Sequence, residues 1–150
     1  MMKTLTFILM LLLFISSCSK KDNQAEIDDQ TIQNYLKTNN LTATKDPSGL
    51  YYIMTVTGTG TNPTSSSTVE VKYKGKLVNG TIFDQTAADK TATFPLSGLI
   101  RGWEIGIPLM KKGGKATFYI PSALGYGSMT TGPIPANSVL IFDIELINIK

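Results

Sequence analysis

Gly98-Leu99-Ile100-Arg101-Gly102-Trp103-Glu104-Ile105-Gly106 holds the only tryptophan of this 150-residue chain. Two adjacent apolar residues lead into glycines that flank one large flat ring, a pattern for a short helix that presents an indole to an enclosed space. That ring reads as core filler or as the floor of a pocket, because indole is seldom fully buried and keeps one polar end. The chemistry available around it is restricted. There is no histidine and a single cysteine, Cys18. Histidine general bases, Ser-His-Asp triads, Cys-His pairs and Cys/His zinc sites are therefore excluded. A reaction carried out by this chain needs little proton transfer, and no motif asks for a metal ion or a cofactor.

Two other signals are weaker. Gly58-Thr59-Gly60 superficially looks like a dinucleotide loop, but it lacks the third glycine and runs into a Ser- and Thr-rich loop at 61–68 with no helix behind it. The formal net charge is +3, from 14 Lys and Arg against 11 Asp and Glu. The basic residues are scattered apart from Lys20-Lys21 and Lys111-Lys112, so no stripe for nucleic acid is present.

The elements that must position the tryptophan follow from the chain in order. Residues 1–17 carry Lys3 and then an apolar run at 5–15 broken only by Thr6, too short to span a bilayer and of the right length for a signal-peptide core. It ends in Ile15-Ser16-Ser17-Cys18, which resembles the lipidation signal of bacterial lipoproteins. An ordinary signal with an incidental cysteine is the other reading; the only thiol stands where lipidation needs it. Each buried CH₂ of an acyl chain is worth about 0.8 kcal/mol, and more than one chain anchors firmly. The expected product is a lipid-anchored protein of the cell envelope facing the periplasm or the cell surface, and Ser19 after the cysteine favours outer-membrane sorting.

Residues 18–25 read as a polar tether. From 26 to 39 the pattern turns helical: Ile27, Ile32, Tyr35 and Leu36 fall near helical spacing, Asp28 and Asp29 sit early and Lys37 late, as the helix dipole favours. So narrow a stripe packs on its own domain more readily than on a partner. Asp46-Pro47-Ser48-Gly49 is a turn and 50–56 a strand. Residues 69–74 alternate strictly, with Val69, Val71 and Tyr73 on one face and three charges on the other. Asn79-Gly80 then marks a hairpin into 81–84.

Residues 91–96 form a weak strand whose Pro95 suits an edge or a bulge. Pro108 is expected to stop the central helix by pushing Ile107 out of helical geometry. A strand at 115–120 places Ala116, Phe118 and Ile120 on one side. The Gly- and Pro-rich loop at 121–138 is long enough to be functional. A last strand at 139–149 aligns Leu140, Phe142, Ile144 and Leu146. The sum is an α+β protein: a twisted antiparallel sheet of five to six strands wrapped around one short helix, preceded by an N-terminal helix. The domain organisation is signal peptide at 1–17, tether at 18–25, helical extension at 26–48 and the sheet domain at 49–150. On pattern alone Tyr73, Phe83 and Phe142 read as buried filler and Asp84 as a turn residue.

Taken together, Val71-Lys72-Tyr73-Lys74-Gly75-Lys76-Leu77, Asn79-Gly80-Thr81-Ile82-Phe83-Asp84, Phe94-Pro95-Leu96, the tryptophan stretch, Met110, Gly113-Gly114, Gly125-Tyr126-Gly127, Ile134-Pro135 and Leu140-Ile141-Phe142-Asp143-Ile144-Glu145-Leu146 resemble the FKBP-type peptidyl-prolyl cis-trans isomerases. The resemblance covers 69–149 with the motifs in order. It implies an apolar pocket with Trp103 as floor beneath a prolyl ring and Tyr73, Phe83 and Phe142 as walls. It further implies Asp84 at the rim, the Ile100 N–H and the Tyr126 hydroxyl on substrate carbonyls, and Phe94, Leu99 and Ile134 as further substrate contacts. Proline-containing polypeptides and the macrolide ligands of the family are the implied partners. Three positions depart from the family: Ala92 replaces an aromatic residue usual in eukaryotic members, the loop after Tyr126 is shorter and has no histidine, and Ile-Pro-Pro is Ile134-Pro135-Ala136. These departures keep a non-catalytic peptide-binding or chaperone lipoprotein as the alternative.

The absence of histidine is compatible with this reaction. A prolyl peptide bond turns over a barrier of about 18–20 kcal/mol because rotation breaks amide resonance, and the twisted amide has lost much of its charge separation. A dry aromatic pocket therefore disfavours the planar ground state more than the transition state.

Overall fold

The computed structural model describes residues 20–150. The expected signal peptide and the lipidation site at Cys18 lie outside the described residues. Two ten-residue strands form the spine of the sheet. Strand β3 (Thr68–Leu77) and strand β7 (Leu140–Ile149) pair antiparallel from Val69↔Ile149 to Leu77↔Leu140. On the far side of β7 lie β6 (Lys115–Ile120), β2 (Tyr51–Val56) and the two-residue β1 (Thr44–Lys45). The outer edge of β3 is shared by two short strands: β4 (Ile82–Gln85) takes its C-terminal part and β5 (Ala92–Pro95) its N-terminal part. Pro95 sits in β5 opposite Thr68, where a missing N–H is harmless. Seven strands result, rather than five or six. The extra one is β1, two exposed residues with no apolar alternation to announce them, brought against Tyr51 and Tyr52 by the turn at 46–49.

Helix α2 (Arg101–Gly106) lies across the face that carries Ala116, Phe118, Ile120, Phe142, Ile144 and Leu146. Its approach depends on two glycines one turn apart. A Cβ on Gly102 would lie 2.6 Å from the Ile120 side chain, and one on Gly106 would lie 2.9 Å from the Phe118 ring. Larger residues would lift the helix off β6. Pro108 does not act as expected. Ile107 keeps helical angles (φ −63°, ψ −37°), and the chain tightens into a 3₁₀ turn, Ile107–Leu109, in which proline is tolerated near the start.

Helix α1 (Lys20–Thr38) covers the other face of the sheet. Ile32 and Leu36 are buried against Tyr51, Tyr119, Val139 and Ile141, and Tyr35 lies 5.8 Å from the Tyr119 ring. Two readings of this segment are corrected. The helix is already formed at Lys20, within the stretch read as a tether, since that stretch contains no helix breaker and Gln24 Nε2 donates to Asp28 Oδ1 one turn on. Ile27, counted in the apolar stripe, is 50% exposed, whereas Asp28 is 2% exposed and faces the domain. Among the described residues no helix is long and apolar enough to cross a membrane.

Candidate active site

Trp103 is 3% exposed at the centre of the inner face. Three rings from three different strands stand nearly perpendicular to its indole. Tyr73 of β3 lies 5.3 Å away at 82°, Phe94 of β5 at 6.1 Å and 82°, and Phe142 of β7 at 5.2 Å and 88°. Edge-to-face contacts of this kind each contribute about 0.5–1.5 kcal/mol beyond area burial. Strand alternation explains the convergence: Tyr73 follows Val69 and Val71 on the inner side of β3, and Phe142 follows Leu140 on the inner side of β7. A box open at one end results.

Leu99, Ile100, Asp84 and Tyr126 complete the lining of a cavity of about 190 Å³ within this box. Pockets for whole drug-sized ligands usually measure about 300–1,000 Å³. This one suits a single ring. Eight of the ten residues expected to act on substrate thus share one hollow. Phe83 and Ile134 do not line it. Gly75 explains the first: with no side chain there, the Phe83 ring settles over the backbone, 5.4 Å from Phe142, and supports that wall from behind. Ile134 is 4% exposed and belongs to the core beneath the loop.

The polar groups are few. Tyr73 donates its hydroxyl proton to Asp84 Oδ2 at 2.6 Å. Burial, helped by that carboxylate, holds the Tyr73 hydroxyl's pKa well above its usual value, so it remains a protonated donor. Ile100 caps α2, and its carbonyl accepts the N–H groups of Trp103 and Glu104. Among the described residues neither the Ile100 N–H nor the Tyr126 hydroxyl has a protein partner, which leaves two donors free at the cavity. Arg101 is engaged by Glu104 at 2.9 Å and exposed. Among the described residues the buried Trp103 Nε1–H has no acceptor, at a penalty of about 1–3 kcal/mol.

A second hollow of about 670 Å³ lies on the opposite face of the sheet, where Lys72, Lys74, Lys115, Asp143 and Glu145 contribute to it. It is larger but open and charged, without enclosing rings. Among the described residues no cluster of three or more His, Cys, Asp or Glu could hold a metal ion. One residue near the aromatic box carried no sequence signal. Ser122 is 2% exposed, and its N–H and Oγ both donate to Asp28 of α1, 94 residues away. Only the fold brings these two together.

Comparison with known proteins agrees with this geometry. The first relative is a "Probable FKBP-type peptidyl-prolyl cis-trans isomerase FkpA" of Neisseria meningitidis, 39% identical over 136 residues, which are 89% of this chain and 47% of that protein. An "Outer membrane protein MIP" of Legionella longbeachae is 45% identical over 106 residues, 69% of this chain and 46% of the relative. The crystal structure of FkpA from Escherichia coli superposes with a TM-score of 0.75 at 35% identity, covering 87% of this chain and 62% of that one. The chain spans about half the length of the curated relatives it matches. Residues 59–147, which carry every lining residue of the cavity, match the model of the FKBP-type peptidyl-prolyl cis-trans isomerases, and the chain belongs to that family.

Proposed function

We propose that the chain is a peptidyl-prolyl cis-trans isomerase that accelerates rotation of Xaa-Pro bonds in exported proteins. The observation that carries this reading is the indole floor with three perpendicular rings around a cavity of about 190 Å³. A prolyl ring enters the box and displaces water. The Ile100 N–H and the Tyr126 hydroxyl hold carbonyls on the two sides of the bond, while the amide between them turns. The planar amide, with its charge separation, is poorly served by the apolar walls. The twisted amide is better matched, and this difference lowers the barrier. Phe94 and Leu99 contact the residues beside proline, and Phe83 and Ile134 fix the walls from outside. A macrolide ligand of the family would insert one ring into the same cavity.

The Cys18 anchor belongs to the same proposal. The relative named as an outer membrane protein and the Ile15-Ser16-Ser17-Cys18 pattern support a lipid-anchored envelope protein on the outer membrane. Labelling with a radioactive fatty acid, lost in Cys18→Ser, tests the anchor separately.

A protease-coupled assay on an Xaa-Pro peptide tests the activity. The expected result is faster conversion than in buffer, with Tyr126→Phe lowering kcat/KM about tenfold, the scale of one lost hydrogen bond made in the transition state. A wild-type rate equal to buffer, with proline-rich peptide still bound, would establish the non-catalytic reading instead.

A further inference from the structure

The N-terminal helix lies outside the residues matched to the family, yet it sends a buried carboxylate into the catalytic domain. Asp28 Oδ2 accepts the Ser122 N–H at 2.7 Å and the Ser122 hydroxyl at 2.6 Å, and its Oδ1 accepts Gln24 Nε2 at 2.8 Å. Both Asp28 and Ser122 are 2% exposed. Among the described residues no cation pairs with Asp28. A carboxylate buried with only neutral donors is costly to place, so its partners must be held closely.

Ser122 is the residue on which the pocket loop is folded. It opens the 3₁₀ turn Ser122–Leu124, and its carbonyl accepts two N–H groups, Gly125 at 2.9 Å and Gly127 at 2.8 Å. Those two amides bracket Tyr126. The Gly127 carbonyl in turn accepts the Asn137 N–H at 2.8 Å, closing the far side of the loop. One carboxylate on α1 therefore fixes the Ser122 backbone, Ser122 fixes the peptide groups on both sides of Tyr126, and Tyr126 stands at the mouth of the aromatic box with its hydroxyl free.

We propose that Asp28 is a positioning residue for catalysis: through Ser122 it holds the Tyr126 hydroxyl at the substrate carbonyl, so the helix outside the isomerase domain sets the turnover of the site within it. This rests on the isomerase reading and on the role given there to Tyr126. Without Asp28 the pocket persists, but Tyr126 samples positions from which it does not reach the carbonyl, so kcat falls while KM stays close to that of the wild type.

The test uses the full chain and a proline-containing tetrapeptide. Asp28→Ala is expected to lower kcat/KM about tenfold, through kcat, and the double variant Asp28→Ala/Tyr126→Phe to lose no more than Tyr126→Phe alone, because both remove the same contact. Hydrogen exchange of the Gly125 and Gly127 amides is expected to rise about tenfold in Asp28→Ala with the β7 amides unchanged. Losses that multiply in the double variant, or unchanged exchange at Gly125 and Gly127, would overturn the proposal. Should Asp28→Ala fail to fold, Asp28→Asn and Ser122→Ala take its place, each read by the same cycle and the same two amides. A wild-type chain with no rate enhancement defeats the isomerase reading, and the amide exchange still decides whether Asp28 holds the Tyr126 loop.

Discussion

The two faces of one sheet have been put to different uses by the same alternation. Along β7, Leu140, Phe142, Ile144 and Leu146 point to α2, while Ile141, Asp143 and Glu145 point the other way. The inner face is apolar from end to end and ordered by three rings around Trp103. The outer face is apolar only at one end, where α1 covers Tyr51, Tyr119, Val139 and Ile141, and at the other it is a field of charges. Each face also carries a tyrosine whose pKa is raised chiefly by burial. Tyr73 keeps a partner in Asp84, whereas on the outer side burial, with Tyr35 beside it, pushes the Tyr119 hydroxyl up to about 12. A packed face can serve as a site only where a hollow is left between rings and donors are left free; the α1 contact is equally buried, and the hollow of about 490 Å³ beside it is lined by Gln30, Gln33, Asn34 and Lys37 without a ring.

The sharpest way to break this contrast is at the seat of α2. Phe118→Ala removes a fully buried ring against which Gly106 packs. A loss of about 3–5 kcal/mol in urea denaturation is expected, with the isomerase rate lost as α2 shifts. A stable, active variant would show that the inner face does not hold the site.

Next in size is Trp103→Phe. It shrinks the floor but also removes a buried donor with no acceptor. Stability is expected to change by less than about 1 kcal/mol, since the two effects oppose one another. The protease-coupled kcat/KM is expected to fall about tenfold. A rate equal to wild type would remove Trp103 from the site.

On the outer side the effects are smaller. Lys45, which donates to Asp29 of α1 at 2.6 Å, is the first cause of the lowered Asp29 pKa, aided by Tyr51 and Gln33 and opposed by partial burial. A carboxyl lowered on folding adds stability above its unfolded pKa of about 4 and loses it as pH falls through the folded value. Lys45→Met is therefore expected to reduce the denaturation free energy by about 0.2–1 kcal/mol near neutral pH, and the difference should fade as acid protonates Asp29 in the folded chain. An equal difference at both pH values would assign the effect to packing over Tyr51, above whose ring Lys45 lies at 5.2 Å. Smallest is Lys115→Ala, which removes the exposed pair with Glu145 at 3.3 Å. Stability should stay within about 0.5 kcal/mol, and kcat/KM should match wild type. A clear rate loss there would give the charged hollow a part in catalysis.

The inner face was largely legible because its information is local. Strict alternation in 69–73 and 140–146 assigns Tyr73 and Phe142 to one side, and the glycines of the tryptophan stretch announce a helix pressed against a sheet. The resemblance places Phe83 among the walls, whereas pattern alone reads it as buried filler; neither says how far the glycine at 75 lets the ring sink behind Phe142. The outer face was less legible. The helix stripe holds at Ile32 and Leu36 but not at Ile27, where the next residue, a buried hydrogen-bonded carboxylate, faces the domain instead. Ser122 and Asp28 lie 94 residues apart, and no periodicity links them.

Having only one indole, sealed at the bottom of the aromatic cavity, gives the molecule an intrinsic optical gauge. Its emission arises from a single position, so no other tryptophan dilutes the signal. A guest settling on that ring alters the fluorescence at the spot where it sits, and unfolding floods the same spot with water. Occupancy and integrity can thus be followed in one cuvette without attaching a dye.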